Sequence, residues 1–344
     1  MERQGYRAIV AGLGRMGSYH LRVLNLLPDV EVVAMVDSSE ERRVEASRRY
    51  GPVATFAGLE EAIDAVDADL VCLAVPVEHL PRLGRVALEG GLAVLVEKPM
   101  APSEEAAMEL VQLAEERGLL LSVGHVERFN PAVMLLKEKL DAGEAGEIFQ
   151  IHARRLSPFP KRDSMLGVSL DLATHDLDII RYLTGSEVSR VYAEVAQRAH
   201  ALAEDLICAS LRMDDGSTGL LEVNWMTPAK VRELSVTSER GMFVVNYLTQ
   251  DLFFYENPLA SIEWDALSVV RGTGEGNMVR YALERREPLQ VEWETFLDAL
   301  RDPTSATVTG WDGIAALSSA LAIQESGKSH HAVVPRYREL LTRS

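Results

Sequence analysis

Apolar runs and amphipathic stretches alternate along the first third of the chain. Short, nearly continuous apolar runs predict buried strands at residues 6–11, 31–36, 69–75, 92–96 and 119–123. Helical spacing of apolar positions is found between them, at residues 18–27, 40–50, 60–66, 80–89 and 103–117. This alternation predicts a parallel sheet with helices on its faces, which is an α/β domain of the Rossmann type.

The pattern changes after residue 124. Helical spacing is found at residues 131–140, 284–301 and 310–326, and strand-like runs at 147–156 and repeatedly between 187 and 255. Asp214-Asp-Gly216 and Glu239-Arg-Gly241 are hairpin signals within the last stretch. We therefore expect two domains, 1–124 and 125–344, with a strand-rich second domain.

Composition narrows the classes of function. The 344 residues are 47% hydrophobic, which is ample for two cores, and a formal net charge of -17 argues against nucleic-acid binding. Cys72 and Cys208 lie in apolar runs, which predicts buried, reduced thiols in a cytoplasmic protein. The sequence predicts no signal peptide, no membrane span and no metal site.

A glycine-rich turn follows the first predicted strand. The run Gly12-Leu-Gly14-Arg15-Met16-Gly17 has the spacing G-x-G-x-x-G and leads into a predicted helix. Gly12 permits a tight turn, Gly14 lets the backbone approach a pyrophosphate, and Gly17 lets the helix pack on the strand. The helix N-terminus offers N–H groups to phosphates. We expect this turn, including Arg15 and Met16, to bind a dinucleotide.

Asp37 ends the second predicted strand, where a dinucleotide-binding domain places an acidic residue. Its carboxylate can accept a hydrogen bond from the ribose 2′-hydroxyl, which favours NAD. Ser38, Ser39, Arg42 and Arg43 follow closely, and such side chains can bind a 2′-phosphate, so NADP remains possible. The predicted cofactor contacts here are Asp37, Ser38 and Arg42.

Further polar groups stand where other predicted strands end. Val75-Pro76, Glu97-Lys98 and His125 each follow a buried strand. Ligands of open α/β sheets bind beyond the carboxyl ends of the strands, so these positions converge on one edge. Lys98 lies between a strand and a proline, and we predict that it contacts ligand; the alternative is an ordinary surface lysine.

Residues 169–183 combine a polar face with an apolar stripe. If the stretch is helical, Asp171, His175, Asp178 and Tyr182 share one face. A carboxylate close to an imidazole forms a proton-transfer pair, which makes Asp171 and His175 candidate catalytic residues. The alternative is a solvent-exposed polar face beside a buried stripe.

Basic residues gather just before that stretch. Arg154, Arg155, Lys161 and Arg162 fall close together in an acidic chain. The run is either a solvated charge cluster or an anion clamp suited to a diphosphate or carboxylate, and we predict that Arg155 and Lys161 contact substrate. The predicted substrate contacts outside this run are Lys98, Arg128, Asn130, Asp171, His175 and Asp178.

Three motifs in this order resemble the Gfo/Idh/MocA oxidoreductases, over essentially the whole chain. They are Gly12-Leu-Gly-Arg-Met-Gly-Ser-Tyr-His20, Glu97-Lys98-Pro99 and Asp171-x-x-x-His175-Asp-x-Asp178. The resemblance implies a Rossmann domain followed by an α/β domain with a large, mostly antiparallel open sheet. It also implies hydride transfer between NAD(P) and a secondary alcohol of a sugar or cyclitol.

The resemblance also implies roles for individual residues. Lys98 would contact the nicotinamide ribose and the substrate hydroxyl, with a peptide bond to Pro99 that is often cis. His175 would accept the substrate proton and Asp171 would orient its imidazole. His79 is similar to a cofactor-contacting histidine of the family, although it stands one residue early.

Two further runs point to one branch of the family. Gly124-His-Val-Glu-Arg-Phe-Asn-Pro131 and Pro158-Phe-Pro160 look like the branch of UDP-N-acetylglucosamine 3-dehydrogenases, which oxidise the C3 hydroxyl of a UDP-linked sugar. Inositol-type members share the catalytic spacing and remain an alternative. A non-catalytic NAD-binding sensor is the alternative of another class, and it would not need Lys98, Asp171 and His175.

The resemblance further implies an assembly. The uncovered face of the second sheet makes the dimer or tetramer contact in this family. Leu221, Val223 and Trp225 alternate along a predicted strand and are expected to form an apolar stripe on that face. We therefore expect a homodimer or homotetramer.

Overall fold

The computed structural model describes residues 5–160, 166–257, 276–305 and 307–338. The chain divides into two compact units, Met1–Val126 with Glu287–Ser318, and Glu127–Arg286 with Ser319–Ser344. The sequence pattern places one boundary at residue 124. In the structure, Glu287–Ser318 also belongs to the first unit, because the helix in this segment buries Trp293 and Phe296 in that unit's core.

A six-stranded parallel sheet forms the centre of the first unit. Its strands are β1 (Tyr6–Ala11), β2 (Val30–Val36), β3 (Ala54–Phe56), β4 (Leu70–Leu73), β5 (Ala93–Glu97) and β6 (Leu121–Gly124). The helices between them are α1 (Arg15–Leu24), α2 (Glu40–Tyr50), α3 (Leu59–Ala65), α4 (Leu80–Glu89) and α5 (Glu104–Arg117). The strand order β3-β2-β1-β4-β5-β6 confirms the Rossmann prediction. Strand β3 was not predicted, because three residues are too few to give a recognisable apolar pattern.

An eight-stranded mixed sheet forms the centre of the second unit. Its strands are β7 (Ile148–Leu156), β8 (Val188–Ala196), β9 (Leu206–Met213), β10 (Thr218–Asn224), β11 (Val231–Ser238), β12 (Gly241–Asn246), β13 (Asp251–Glu256) and β14 (Met278–Arg280). They lie in the order β14-β13-β12-β11-β7-β10-β9-β8, and β7 with β10 is the parallel pair among the described strands of this second sheet. The expected large, mostly antiparallel sheet is confirmed, including both predicted hairpins.

The remaining helices complete the two units. They are α6 (Pro131–Asp141), a π-helical turn (Ser169–Ala173) followed by α7 (Thr174–Thr184), α8 (Pro288–Arg301) and α9 (Gly310–Ser329). Asn130 starts α6 by accepting a hydrogen bond from the Ala132 N–H, and Pro131 occupies its first turn. Helix α8 packs against α1 in the first unit.

The predicted stripe on the open face of the second sheet is wrong. Leu221, Val223 and Trp225 are 3%, 0% and 3% exposed, so they face the interior of the second unit. Period-two alternation identified the buried face of β10 but could not say which side of the sheet the helices cover.

The opposite face of the sheet carries a partly exposed row of apolar and polar residues. Strand register aligns Tyr192, Leu220, Val244 and Phe253 across it, with Ser210, His152 and Ser235 between them. Cys208 also lies on this face and is exposed, which corrects the expectation that both thiols are buried.

Aromatic residues on β12 and β8 test this division of the sheet. Phe243 is fully buried and its ring lies 4.4 Å from that of Phe254, so Phe243→Ala should lower the free energy of unfolding by about 3–5 kcal/mol. Tyr192 lies on the opposite face and is 42% exposed, so Tyr192→Ala should change it by no more than about 1 kcal/mol. Urea denaturation followed by circular dichroism measures both, and equal losses would contradict this assignment of the sheet faces.

Candidate active site

Glycines bring the β1–α1 turn into close backbone contact. Gly12 has φ of +93°, and a Cβ there would lie 2.3 Å from the Ala74 carbonyl oxygen. A Cβ on Gly17 would lie 1.6 Å from the Gly12 carbonyl oxygen, whereas the space around Gly14 is open. Gly14 is the N-cap of α1, so the free N–H groups of the helix face that space and NAD fits the turn. The predicted contacts Arg15 and Met16 form the first turn of α1.

Backbone donors fix Asp37 at the end of β2. The Leu13 N–H donates to Oδ2 and the Ser39 N–H donates to Oδ1, both at 2.8 Å. Ser38 is exposed next to it, and Arg42 Nη1 lies 3.6 Å from Asp37 Oδ2. The buried carboxylate is thus held ready as an acceptor, and the exposed Arg42 keeps a 2′-phosphate contact possible.

The other predicted cofactor contacts follow β4 and β5. Val75 is half-buried, while Pro76 and His79 are exposed, and His79 ends a short 3-10 turn. Lys98 is half-buried and its peptide bond to Pro99 is cis. All of these residues lie at the carboxyl edge of the parallel sheet, where ligands of such sheets bind.

Glu97 is buried at the end of β5 and hydrogen-bonded within the first unit. His20 Nε2 lies 2.9 Å from Glu97 Oε1, and Trp293 Nε1 donates to His20 Nδ1 at 2.9 Å. Direct contact between Glu97 and cofactor stays a prediction. Sequence reasoning missed Trp293 because it stands 273 positions from His20 and no local pattern links them.

Asp171 and His175 lie where the π-helical turn passes into α7. Both are half-buried, Asp171 in the π turn and His175 in the first turn of α7. Glu204 Oε1 accepts a hydrogen bond from the Ser169 N–H at 3.1 Å and so holds the start of this segment. The predicted helix is confirmed, with a wider first turn of a kind that is frequent at functional sites.

Asp178 belongs to a separate buried ion pair. Arg128 Nε and Nη2 donate to its two carboxylate oxygens at 2.7 and 2.5 Å. The guanidinium carbon of Arg128 lies 5.0 Å from the centre of the Tyr182 ring. The four residues predicted to share one polar face therefore do not form a single group, because two of them, Asp178 and Tyr182, pack with Arg128. Substrate contact by Arg128 or Asp178 stays a prediction.

Asn130 is also engaged within the second unit. It caps α6, and its Nδ2 donates to the Tyr247 carbonyl oxygen at 3.1 Å. It is buried, so its observed contacts are those of a residue that fixes the start of α6. The expected orientation toward ligand stays a prediction.

Arg155 is buried beside α7. Its guanidinium donates to both oxygens of Asp176 at 2.7 and 3.0 Å and to Glu127 at 2.9 Å. Burial alone would lower the pKa of Arg155, but the two carboxylates outweigh burial and raise it above its ordinary value. These contacts engage three of its nitrogens and disfavour the predicted diphosphate contact.

The rest of the predicted anion clamp does not gather around Arg155. Arg154 points to the other side of β7, where it bonds Glu222 at 3.0 Å and Glu233 at 3.4 Å. Adjacent residues of a strand face opposite sides of the sheet, a constraint that the spacing argument overlooked. Lys161 and Arg162 lie outside the described residues.

Sequence reasoning also missed a second arginine in this region. Burial, with a smaller contribution from Arg155, lowers the pKa of Arg232 to about 10, while Asp171 is among the carboxylates that oppose the shift. Arg232 therefore remains a cation at neutral pH, and its charge acts on Asp171. It stands alone in an alternating strand, so no local signal marks it.

The part of the chain that the structure describes shows neither a membrane-spanning helix nor a cluster of metal ligands. Within it, no helix combines the length and the apolar character needed to cross a membrane. In the same ranges, no group of three or more His, Cys, Asp or Glu side chains is arranged to hold a metal ion.

Family models match both units. Residues 6–125 match the model described as an oxidoreductase family with an NAD-binding Rossmann fold, and residues 133–244 match the GFO/IDH/MocA C-terminal domain. The chain belongs to the Gfo/Idh/MocA family of oxidoreductases. It is accordingly an NAD-dependent oxidoreductase, and curated relatives of this Gfo/Idh/MocA protein are named as dehydrogenases of hydroxyl groups.

Relatives of this Gfo/Idh/MocA member cover nearly all of its length. The UDP-N-acetylglucosamine 3-dehydrogenase of Acidithiobacillus ferrooxidans is 27% identical over 92% of this chain and 96% of its own. An inositol 2-dehydrogenase of Arthrobacter sp. is 27% identical over 95% of each chain. The solved structure of the Acidithiobacillus ferrooxidans enzyme matches with a TM-score of 0.82 at 24% sequence identity, covering 94% of this chain and 98% of its own.

Alanine at two of the glycines should have different effects. Gly14→Ala should leave folding unchanged and weaken NAD binding roughly tenfold, because the added methyl group enters the space open to the pyrophosphate. Gly17→Ala should destabilise the fold by about 1–3 kcal/mol or more, because its Cβ meets the Gly12 carbonyl. Calorimetric titration with NAD and thermal unfolding separate the two, and a Gly14→Ala protein that binds like wild type would contradict the assigned phosphate site.

Neighbouring arginines on β7 provide a matched test of the ion pairs. Arg155→Gln should cost about 3–5 kcal/mol of unfolding free energy, because it leaves the buried Asp176 without its bidentate partner. Arg154→Gln should cost no more than about 1 kcal/mol, because its ion pairs are exposed to solvent. Urea denaturation measures the unfolding free energy of both variants. An Arg155→Gln protein of wild-type stability that lost only substrate affinity would instead support the predicted anion clamp.

Proposed function

We propose that this enzyme oxidises the C3 hydroxyl of UDP-N-acetylglucosamine to the 3-keto sugar. The observation that carries the proposal is the match to a UDP-N-acetylglucosamine 3-dehydrogenase over 92% of this chain. The half-buried positions of Asp171 and His175 support it, because a proton-transfer pair has to be reachable by substrate.

His175 takes the proton of the substrate hydroxyl in this proposal, and Asp171 orients and stabilises the resulting imidazolium. Lys98 stabilises the negative charge that develops on the same oxygen. The residues that hold the cofactor are the glycine turn and Asp37, and bound NAD supplies the hydride acceptor. The alcohol thus loses one proton and one hydride and becomes a ketone.

A cyclitol is the second candidate substrate, and two observations favour it. Inositol dehydrogenases match this chain at the same level of identity as the nucleotide-sugar enzyme. Arg155 bonds Asp176 and Glu127, so the residue expected to bind a diphosphate has other partners. The same acid–base chemistry would serve a ring hydroxyl of an inositol.

We also propose that a second copy of the chain covers the open face of the second sheet, giving a homodimer or homotetramer. The row formed by Tyr192, Leu220, Val244 and Phe253 supports this proposal, because a partly apolar face is stabilised by burial. Free thiols at Cys72 and Cys208 fit a reducing, cytoplasmic compartment.

Substrate identity is tested with the purified enzyme, NAD and either UDP-N-acetylglucosamine or myo-inositol in parallel. Mass spectrometry should show loss of two hydrogen atoms from the nucleotide sugar, and one arm includes 2-oxoglutarate to reoxidise a tightly held cofactor. Product from myo-inositol alone would replace the proposal with the cyclitol candidate. Cofactor binding with no product from either would favour the non-catalytic sensor over both.

Loss of His175 should slow the reaction without weakening the binding of the cofactor. His175→Ala should reduce turnover by roughly a hundredfold or more, the usual scale for a lost general base, with an unchanged Kd for NAD. The exposed His331 serves as the control, and His331→Ala should turn over like wild type. Steady-state kinetics and NAD titration measure both effects, and wild-type turnover of His175→Ala would remove His175 from the mechanism.

A further inference from the structure

Arg232 is a buried arginine at the start of β11. It is 9% exposed and lies opposite Arg155 in the register of β7 and β11. Its Nη1 donates to the carbonyl oxygens of Leu156 and Val231 at 2.7 and 2.8 Å. Because both acceptors are neutral, these hydrogen bonds hold the guanidinium in place without balancing its charge.

Two other buried arginines that contact α7 each have a carboxylate partner. Arg128 donates to both oxygens of Asp178. Arg155 donates to both oxygens of Asp176. Among the described residues, by contrast, no carboxylate forms an ion pair with Arg232. Burial and the charge of Arg155 lower the pKa of Arg232 to about 10, which agrees with a buried cation that lacks a bound counter-charge.

Part of the Arg232 guanidinium is available to a ligand. A guanidinium has five N–H donors, and Nη1 directs its two at the carbonyl oxygens. Nε and Nη2 have no hydrogen-bond partner among the described residues, and neither atom is enclosed away from solvent. These two nitrogens form the planar fork that binds a carboxylate or a phosphate through two parallel hydrogen bonds.

Arg232 lies close to the segment that carries the candidate catalytic pair. The π-helical turn that contains Asp171 packs on β10, and β7 lies between β10 and β11 in the sheet. Asp171 is also among the carboxylates whose charge acts on Arg232. A sugar whose hydroxyl group reaches Asp171 and His175 therefore brings its neighbouring groups toward the Arg232 fork.

We propose that Arg232 binds the diphosphate of the nucleotide-sugar substrate, the role that the sequence pattern suggested for Arg155. In UDP-N-acetylglucosamine only the diphosphate is charged at neutral pH, so only this group supplies the missing counter-charge. An inositol has no such group, and Arg232 thus selects nucleotide sugars over cyclitols. This role for Arg232 rests on the proposed oxidation of UDP-N-acetylglucosamine.

The experiment measures Kd for UDP in the presence of NAD, together with KM and kcat for UDP-N-acetylglucosamine. Arg232→Gln should raise Kd and KM roughly ten- to a hundredfold, the usual cost of a lost charge-assisted contact, with a smaller change in kcat. Arg232→Lys keeps the charge but not the fork, so its Kd for UDP should lie between those of wild type and Arg232→Gln. Kd for NAD should be unchanged in both variants.

Arg154 provides a matched control on the adjacent strand. Arg154→Gln removes the same charge from the opposite face of the sheet, so Kd for UDP should stay at the wild-type value.

Two outcomes distinguish failure of the Arg232 role from failure of the proposed function. Wild-type turnover of UDP-N-acetylglucosamine, with an unchanged Kd for UDP in folded Arg232→Gln, would overturn the role of Arg232 alone. A wild-type enzyme that neither binds UDP nor oxidises UDP-N-acetylglucosamine would remove the proposed function and this role with it. Thermal unfolding checks each variant. If Arg232→Gln does not fold, Arg232→Lys decides, and a wild-type Kd for UDP in that variant would overturn the role.

Discussion

Close approach of two backbone segments in the glycine turn sets the geometry of the first unit. Because residue 17 has no side chain, α1 starts directly against the Gly12 carbonyl. The same placement directs the helix N-terminus to the carboxyl edge of the sheet and brings His20, one turn later, against Glu97. One steric constraint therefore positions both the phosphate-binding N–H groups and the polar line that reaches the end of β5.

In the second unit, buried ion pairs hold helix α7 in position. Asp176 and Asp178 flank the turn that follows His175, and each is bonded through both oxygens by a different arginine. A buried carboxylate separated from its partner is costly, so these pairs allow one position of α7. His175 precedes the first of these carboxylates and remains half-buried, so the rigid helix keeps the imidazole accessible.

Local sequence information predicted the first unit well because its signals are local. The glycine spacing, the buried strands and the polar strand ends all follow from neighbours in the chain. Prediction failed where the information is distant: Arg154 and Arg155 look alike in sequence but face opposite sides of β7. The stripe on β10 was assigned to the wrong face for the same reason, since apolar residues occur on both sides and coverage by helices is a tertiary property.

The return of α8 to the first unit affects the order in which the chain can fold during synthesis. Trp293 and Phe296 belong to the same core as β1 and α1, although residues 127–286 of the strand-rich unit are translated between them. A nascent chain that has left the ribosome as far as β6 thus lacks part of its own interior. Vectorial folding, in which N-terminal domains mature first, is incomplete here until Ser318, the last residue of the first unit, has emerged.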